Sequence, residues 1–282
     1  MEWLIEPFEL GFQQRALLGG ILAALMCAVV GTWLVLQGMS FFGDAFVHGI
    51  VPGVAAAVVL GVDPLLGAAV AALVMVLLIE TITRGSKLRE DTAIGLLFVG
   101  MLALGVAIIS QVDSYFGSLT AILFGDVFGV TAEQLRQQAV LAVIVVVVSL
   151  LLYRPLLAMA FSRPKAELLG MRPRATHVVL LLTIATAVIG SFQVVGTLLV
   201  FSLLIGPPAT AALVARTVPV MMVLGAGIGV VSVVAGLIVS YYAGTAGSAT
   251  IALIPILIFF VVLAVTRLAR SVAGAKRVEV AR

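Results

Sequence analysis

The chain has 282 residues, 63% of them hydrophobic and only 10% charged, with a mean hydropathy of +1.29. A soluble domain carries roughly 25% charged residues, so a water-facing surface on all sides is excluded. The formal net charge of +3 and a pI near 9.4 fit the basic cytoplasmic loops of a membrane protein, and no nucleic-acid partner is expected.

Stretches of about 20 apolar residues recur, each long enough to cross a hydrocarbon core of about 30 Å. They are continuous, not alternating, which favours helices over an outer-membrane barrel. The expected fold class is therefore all-α and polytopic, with about eight or nine transmembrane helices in one membrane domain over residues 1–282. In chain order we place spans at 15–37, 42–60, 64–83, 92–111, 135–154, 176–192, 194–216, 219–242 and 248–268. The stretch 113–133 is shorter and less apolar, and suits a re-entrant or interfacial piece better than a span. Gly61-Val62-Asp63 and Pro219 are expected to make tight hairpins. Glu2, Glu6 and Glu9 stand where a cleavable signal peptide would carry positive charge, so none is expected. The single cysteine, Cys27, excludes an internal disulfide.

Orientation follows from the loops. Arg84, Lys87 and Arg89 share one loop, and Arg154, Arg163, Lys165, Arg172 and Arg174 another. Arg216 lies in a third, and Arg267, Arg270, Lys276, Arg277 and Arg282 in the C-terminal tail. With nine spans these all fall on one side, leaving only Arg15 and Arg136 opposite. The positive-inside rule puts that side, with the C-terminus, in the cytoplasm and the N-terminus outside. Gly225 and Gly229, and Gly95 and Gly100, are spaced to let helix backbones approach closely. No G-x-x-x-x-G-K-[ST] phosphate loop occurs, so any ATP-driven step needs hydrolysis by another chain.

Asp44 and His48, in FFGDAFVHGIVPG, are four residues apart and share one helical face. Carboxylate oxygen and imidazole nitrogen both ligate zinc and manganese. Counted back from Leu60, His48 lies roughly 18 Å deep, where an ionisable residue is a functional candidate by default. Pro52, with Gly49 and Gly53, is expected to break or kink the helix just above the pair, as in transport sites built on discontinuous helices. A second reading makes Asp44 an interfacial N-cap and His48 a packing residue. Two ligands do not close a metal shell in either case.

Elsewhere the charges read as structural. Glu80 and Arg84 form an i, i+4 pair, and Glu90 and Asp91 suit a helix N-terminus. His177 is read as interfacial. Asp63, Asp113, Asp126 and Glu133 lie on the outer side, where they could concentrate cations or simply be solvated. The segment Ser162, Arg163, Pro164, Lys165, Ala166, Glu167, Leu168, Leu169 and Gly170 has a capping serine, a first-turn proline and a terminating glycine. It is a short cytoplasmic helix that suits either a groove on a partner or the membrane surface.

Several blocks in order resemble the ABC-3 permeases of zinc, manganese and iron importers, over about Gly31 to Thr266. They are MSFFGDAFVHGIVPGVAAA (39–57), LREDTAIGLLFVGMLALGV (88–106), LFGDVFGV (123–130), LYRPLLAMAF (152–161), FQVVGTLLVFSLLIGPPATAALVAR (192–216) and SYYAGTAGSATI (240–251). The resemblance implies a homodimer of permeases with a cytoplasmic ABC ATPase dimer and an extracytoplasmic metal-binding protein, in a bacterial cytoplasmic (inner) membrane. It implies that Asp44 and His48 belong to the metal pathway, and that Ser162 to Gly170 is the coupling helix against the ATPase. The chain departs from the family's Tyr-Tyr-x-Asp-x-Pro-Ser-Gly pattern, carrying Gly244 and Ala246 at the Asp and Pro positions.

The expected function is thus import of a divalent transition metal, zinc ahead of manganese because a histidine is present, by a subunit that is not itself an enzyme. No stably bound cofactor is expected; the metal is cargo and ATP is used by the partner. A permease for a metal chelate is the nearest alternative. A cation-coupled secondary transporter would need more buried ionisable residues. An intramembrane metalloprotease would need an H-E-x-x-H, which is absent.

Overall fold

The computed structural model describes residues 6–85, 90–110 and 127–280. Its helices are α1 (Gly11–Leu36), α2 (Ser40–Gly49), α3 (Val51–Val59), α4 (Pro64–Gly85), α5 (Glu90–Ile109), α6 (Ala132–Leu151), α7 (Tyr153–Phe161), α8 (Arg163–Leu168), α9 (Pro173–Val195), α10 (Thr197–Val214), α11 (Val218–Ala243) and α12 (Gly247–Val280). Among the described residues nine helical stretches are long and apolar enough to cross a membrane. They coincide with the nine expected spans to within a few residues, α2 and α3 together making the second. The expected re-entrant piece at 113–133 lies largely outside the described residues. Its described end forms a 3-10 turn, Val127–Gly129, and a cap for α6.

α1 is the hub. It packs against α6, α9, α10 and α11, and its inward residues are mostly small or fully buried: Ala16, Ala23, Ala24, Ala28, Trp33. Without a solvent-driven hydrophobic effect between helices, close backbone approach supplies the packing energy. At Gly31 the approach is extreme, because a Cβ there would run into the Leu204 carbonyl oxygen of α10. Gly229 of α11 likewise faces Ala24 of α1, as its spacing with Gly225 predicts. Gly95 and Gly100 differ from expectation: a Cβ on either would meet nothing within 4 Å. Their spacing on α5 therefore serves no interface among the described residues of this chain.

A second group consists of α3, α4 and α5. Gly53 of α3 and Gly67 of α4 touch backbone to backbone; a Cβ on either would run into the other's carbonyl oxygen. The turn between these helices is tight, and the Asp63 carboxylate accepts the Leu65 N–H at 2.8 Å, capping α4. Pro219, expected in a connection, instead lies in the first turn of α11, where a missing N–H is tolerated.

Tertiary contacts fix which ends lie together. At one end Tyr242 donates to Glu6 at 3.2 Å, and Phe12 meets Phe128 edge to face. At the other end Trp33 meets Tyr153, and Glu80, Arg163 and His177 line one cleft. The first end holds the N-terminal turn and the second the basic residues Arg163 and Arg174. α11 closes at Gly244, whose φ of +63° is a left-handed conformation that suits glycine. The residue that departs from the family pattern thus ends a helix here.

Candidate metal passage in the broken second span

The second span is not one helix. α2 ends at Gly49 and α3 begins at Val51, with Ile50 between them. Pro52 lacks the N–H that would continue the ladder to His48, and the Ile50 N–H turns to the His48 carbonyl. The break therefore leaves the C-terminal end of α2 near the middle of the span. That end carries the negative pole of the helix dipole, and broken helices of this kind hold cations in other transport proteins.

Asp44 and His48 both lie on α2 just before the break. His48 Nε2 is 3.5 Å from Asp44 Oδ1, with about 28% and 29% of their side chains exposed. Their neighbours Phe42, Gly43, Ala45, Phe46 and Val47 are buried, so the pair forms a polar strip on a helix that is otherwise mostly packed. At 3.5 Å the two atoms are too far apart for a strong hydrogen bond. They are close enough to bind one ion together, since two donors each about 2.1 Å from a tetrahedral ion lie about 3.4 Å apart. His48 Nδ1 is buried and has no hydrogen-bond partner among the described residues, so no acceptor behind the ring fixes its tautomer. Asp44 is well inside α2, with Met39 at the N-cap position. The capping alternative for Asp44 fails on that ground.

The sequence did not reveal what surrounds the pair. Phe98 of α5 meets the His48 imidazole edge on, ring centres 5.7 Å apart, and also meets Phe41 at 5.8 Å. Met75 of α4 packs on Gly49 so closely that a Cβ there would run into its sulfur. Neither contact has a sequence signal, because both residues sit in uniformly apolar spans. Among the described residues no group of three or more His, Cys, Asp or Glu side chains is arranged to hold a metal.

The other charges fall as follows. Glu133 pairs with Arg136 at 2.9 Å next to the Thr131–Gln134 capping box. Asp113 and Asp126 lie outside the described residues, as do the side chains of Arg84 and Glu90. Asp91 is exposed at the start of α5. Cys27 is buried, 3.9 Å from the Ser191 hydroxyl. His177 is 6% exposed, one turn from the start of α9, and lies 3.4 Å from Arg163.

The segment expected to meet a partner forms α8. Ser162 stands at the N-cap position but makes no capping bond, and Pro164 is in the first turn. Gly170, at φ +73°, ends the helix, with Met171 donating to Ala166 and Gly170 to Glu167. Ala166 is buried, while Phe161, Leu168 and Leu169 are 84%, 88% and 70% exposed. These three side chains form an exposed apolar rim beside α8.

A sequence profile of the ABC 3 transport family matches residues 9–266. The chain is 34% identical over 248 residues to a manganese transport system membrane protein of Halalkalibacterium halodurans, covering 88% of this chain and 85% of that one. It is 32% identical over 258 residues to a chelated iron transport system membrane protein of Yersinia pestis, covering 92% and 86%. Its fold matches the solved structure of PsaBC from Streptococcus pneumoniae in complex with Fab, with a TM-score of 0.82, 30% identity and coverage of 93% and 94%. With nine apolar helices among the described residues and a match over nearly its whole length, the chain belongs to the ABC 3 transport family, the ABC importer permeases for metals that its sequence blocks resemble.

Proposed function

We propose that the chain, as one permease domain, passes a divalent transition metal ion across the cytoplasmic membrane by alternating access. The observation that carries this reading is the Asp44–His48 pair at the broken middle of the second span. Two donors give a coordination step strong enough to accept an ion and incomplete enough to release it. Water or backbone carbonyls of the α2 end complete the shell in passing. The names of the two relatives favour manganese or iron. Zinc rests on the histidine alone, and an intact chelate is the second reading, favoured by the Yersinia relative.

In this reading two copies of the chain form the pathway, an ATPase dimer binds at α8, and an extracytoplasmic metal-binding protein delivers the ion. The exposed apolar rim of Phe161, Leu168 and Leu169 supports a cytoplasmic partner at α8. The test is uptake of radioactive manganese, iron and zinc, in competition, by proteoliposomes holding the chain with its ATPase and binding protein. ATP-dependent uptake of one free ion is expected. Uptake only of the chelated metal would favour the second reading, and uptake without ATP would overturn both.

A further inference from the structure

At the end of the bundle that holds the basic loops, a cleft of about 470 Å³ lies between α8 and the adjoining ends of α4 and α9, lined by Glu80, Thr83, Arg163, Glu167, Arg174 and His177 among others. Within it the Arg163 guanidinium approaches His177 Nδ1 at 3.4 Å. A guanidinium has no acceptor, so in this contact Arg163 is the donor. Both residues take part in further interactions. What sets this contact apart is its place in the fold. α8 is six residues long and buries only Ala166 against the rest of the chain. Arg163 reaches from this small element to a nearly buried residue of a long one.

His177 lies one turn into α9, a helix of 23 residues. α9 packs directly against α2, which carries Asp44 and His48, and against α4, which holds α3. α9 therefore links His177 to the broken span by direct packing. We propose that Arg163 and His177 are positioning residues that join the coupling segment to the bundle. They convert movement of α8 into movement of α9 and so of the metal passage. The proposal rests on the transport reading above and names how its driving force enters this chain.

The experiment measures metal uptake and ATP hydrolysis in the same proteoliposomes, with the full complex and radioactive manganese, and reports ions moved per ATP. The variants are His177→Ala, Arg163→Ala, the double variant, and His177→Asn, whose amide oxygen can accept near the position of Nδ1. Residues along a coupled route change coupling by roughly 2- to 30-fold. His177→Ala and Arg163→Ala should each lower ions per ATP within that range while hydrolysis continues. The double variant should lose less than the two single losses combined, and His177→Asn should recover most of the loss. An unchanged ratio in His177→Ala, additive losses, or no recovery in His177→Asn would overturn the joint. Wild-type complex that shows no ATP-driven uptake would overturn the transport reading itself, a distinct result.

Discussion

His48 shows how far a single side chain can be read from sequence. Its spacing from Asp44 and its depth followed from helical geometry, and the structure places the two side chains on one face, 3.5 Å apart. The unpartnered Nδ1 and the Phe98 ring against the imidazole did not follow, because they depend on which apolar helix lies opposite. Asp63 makes the complementary case. It too is an aspartate, but its carboxylate is engaged in capping α4. Asp63→Ala should therefore cost about 0.5–2 kcal/mol of stability, seen as a lower unfolding temperature in detergent. Metal uptake per folded complex should stay unchanged, and a specific loss of uptake would show that the outer acids take part in delivery.

At the scale of the element, the spans were legible because an apolar run of about 20 residues is long enough to cross the bilayer and too long for an ordinary buried helix. The break at Ile50 was legible from Pro52, since proline removes a donor wherever it falls. Helix partners were not. Gly225 and Gly229 found α1, whereas Gly95 and Gly100 found nothing among the described residues. Glycine spacing states that a close approach is possible and leaves open whether a neighbour is there. Gly53 and Gly67 were not paired in advance, yet they join α3 to α4. Gly53→Ala should destabilise the protein by about 1–3 kcal/mol through overpacking, measured by thermal unfolding in detergent. Gly95→Ala should be neutral or slightly stabilising by helix propensity. Equal effects of the two substitutions would contradict the packing described here.

Across the whole molecule, the topology was readable because loop charges and span count agree, and the contacts at the two ends reproduce it. In a Cys27→Ser background, a cysteine placed at Leu168 should react with a membrane-impermeant maleimide only from the cytoplasmic side. A cysteine at Leu60 should react only from outside. Both positions are strongly exposed in the chain by itself, so with the chain reconstituted without its ATPase failure to label would reflect sidedness rather than burial. What the whole chain transports was less legible, because carboxylate and imidazole suit several divalent ions and no third acidic or histidine ligand narrows the choice among the described residues.

The most direct test compares ATP-driven metal uptake by wild-type complex with that of Asp44→Asn and His48→Ala, at matched assembly and ATPase activity. Even groups that only orient a metal's ligands are worth 10- to 100-fold, so each variant should lose uptake by at least about tenfold. Wild-type uptake in both variants would contradict a passage through this pair and leave the broken span with a structural role alone.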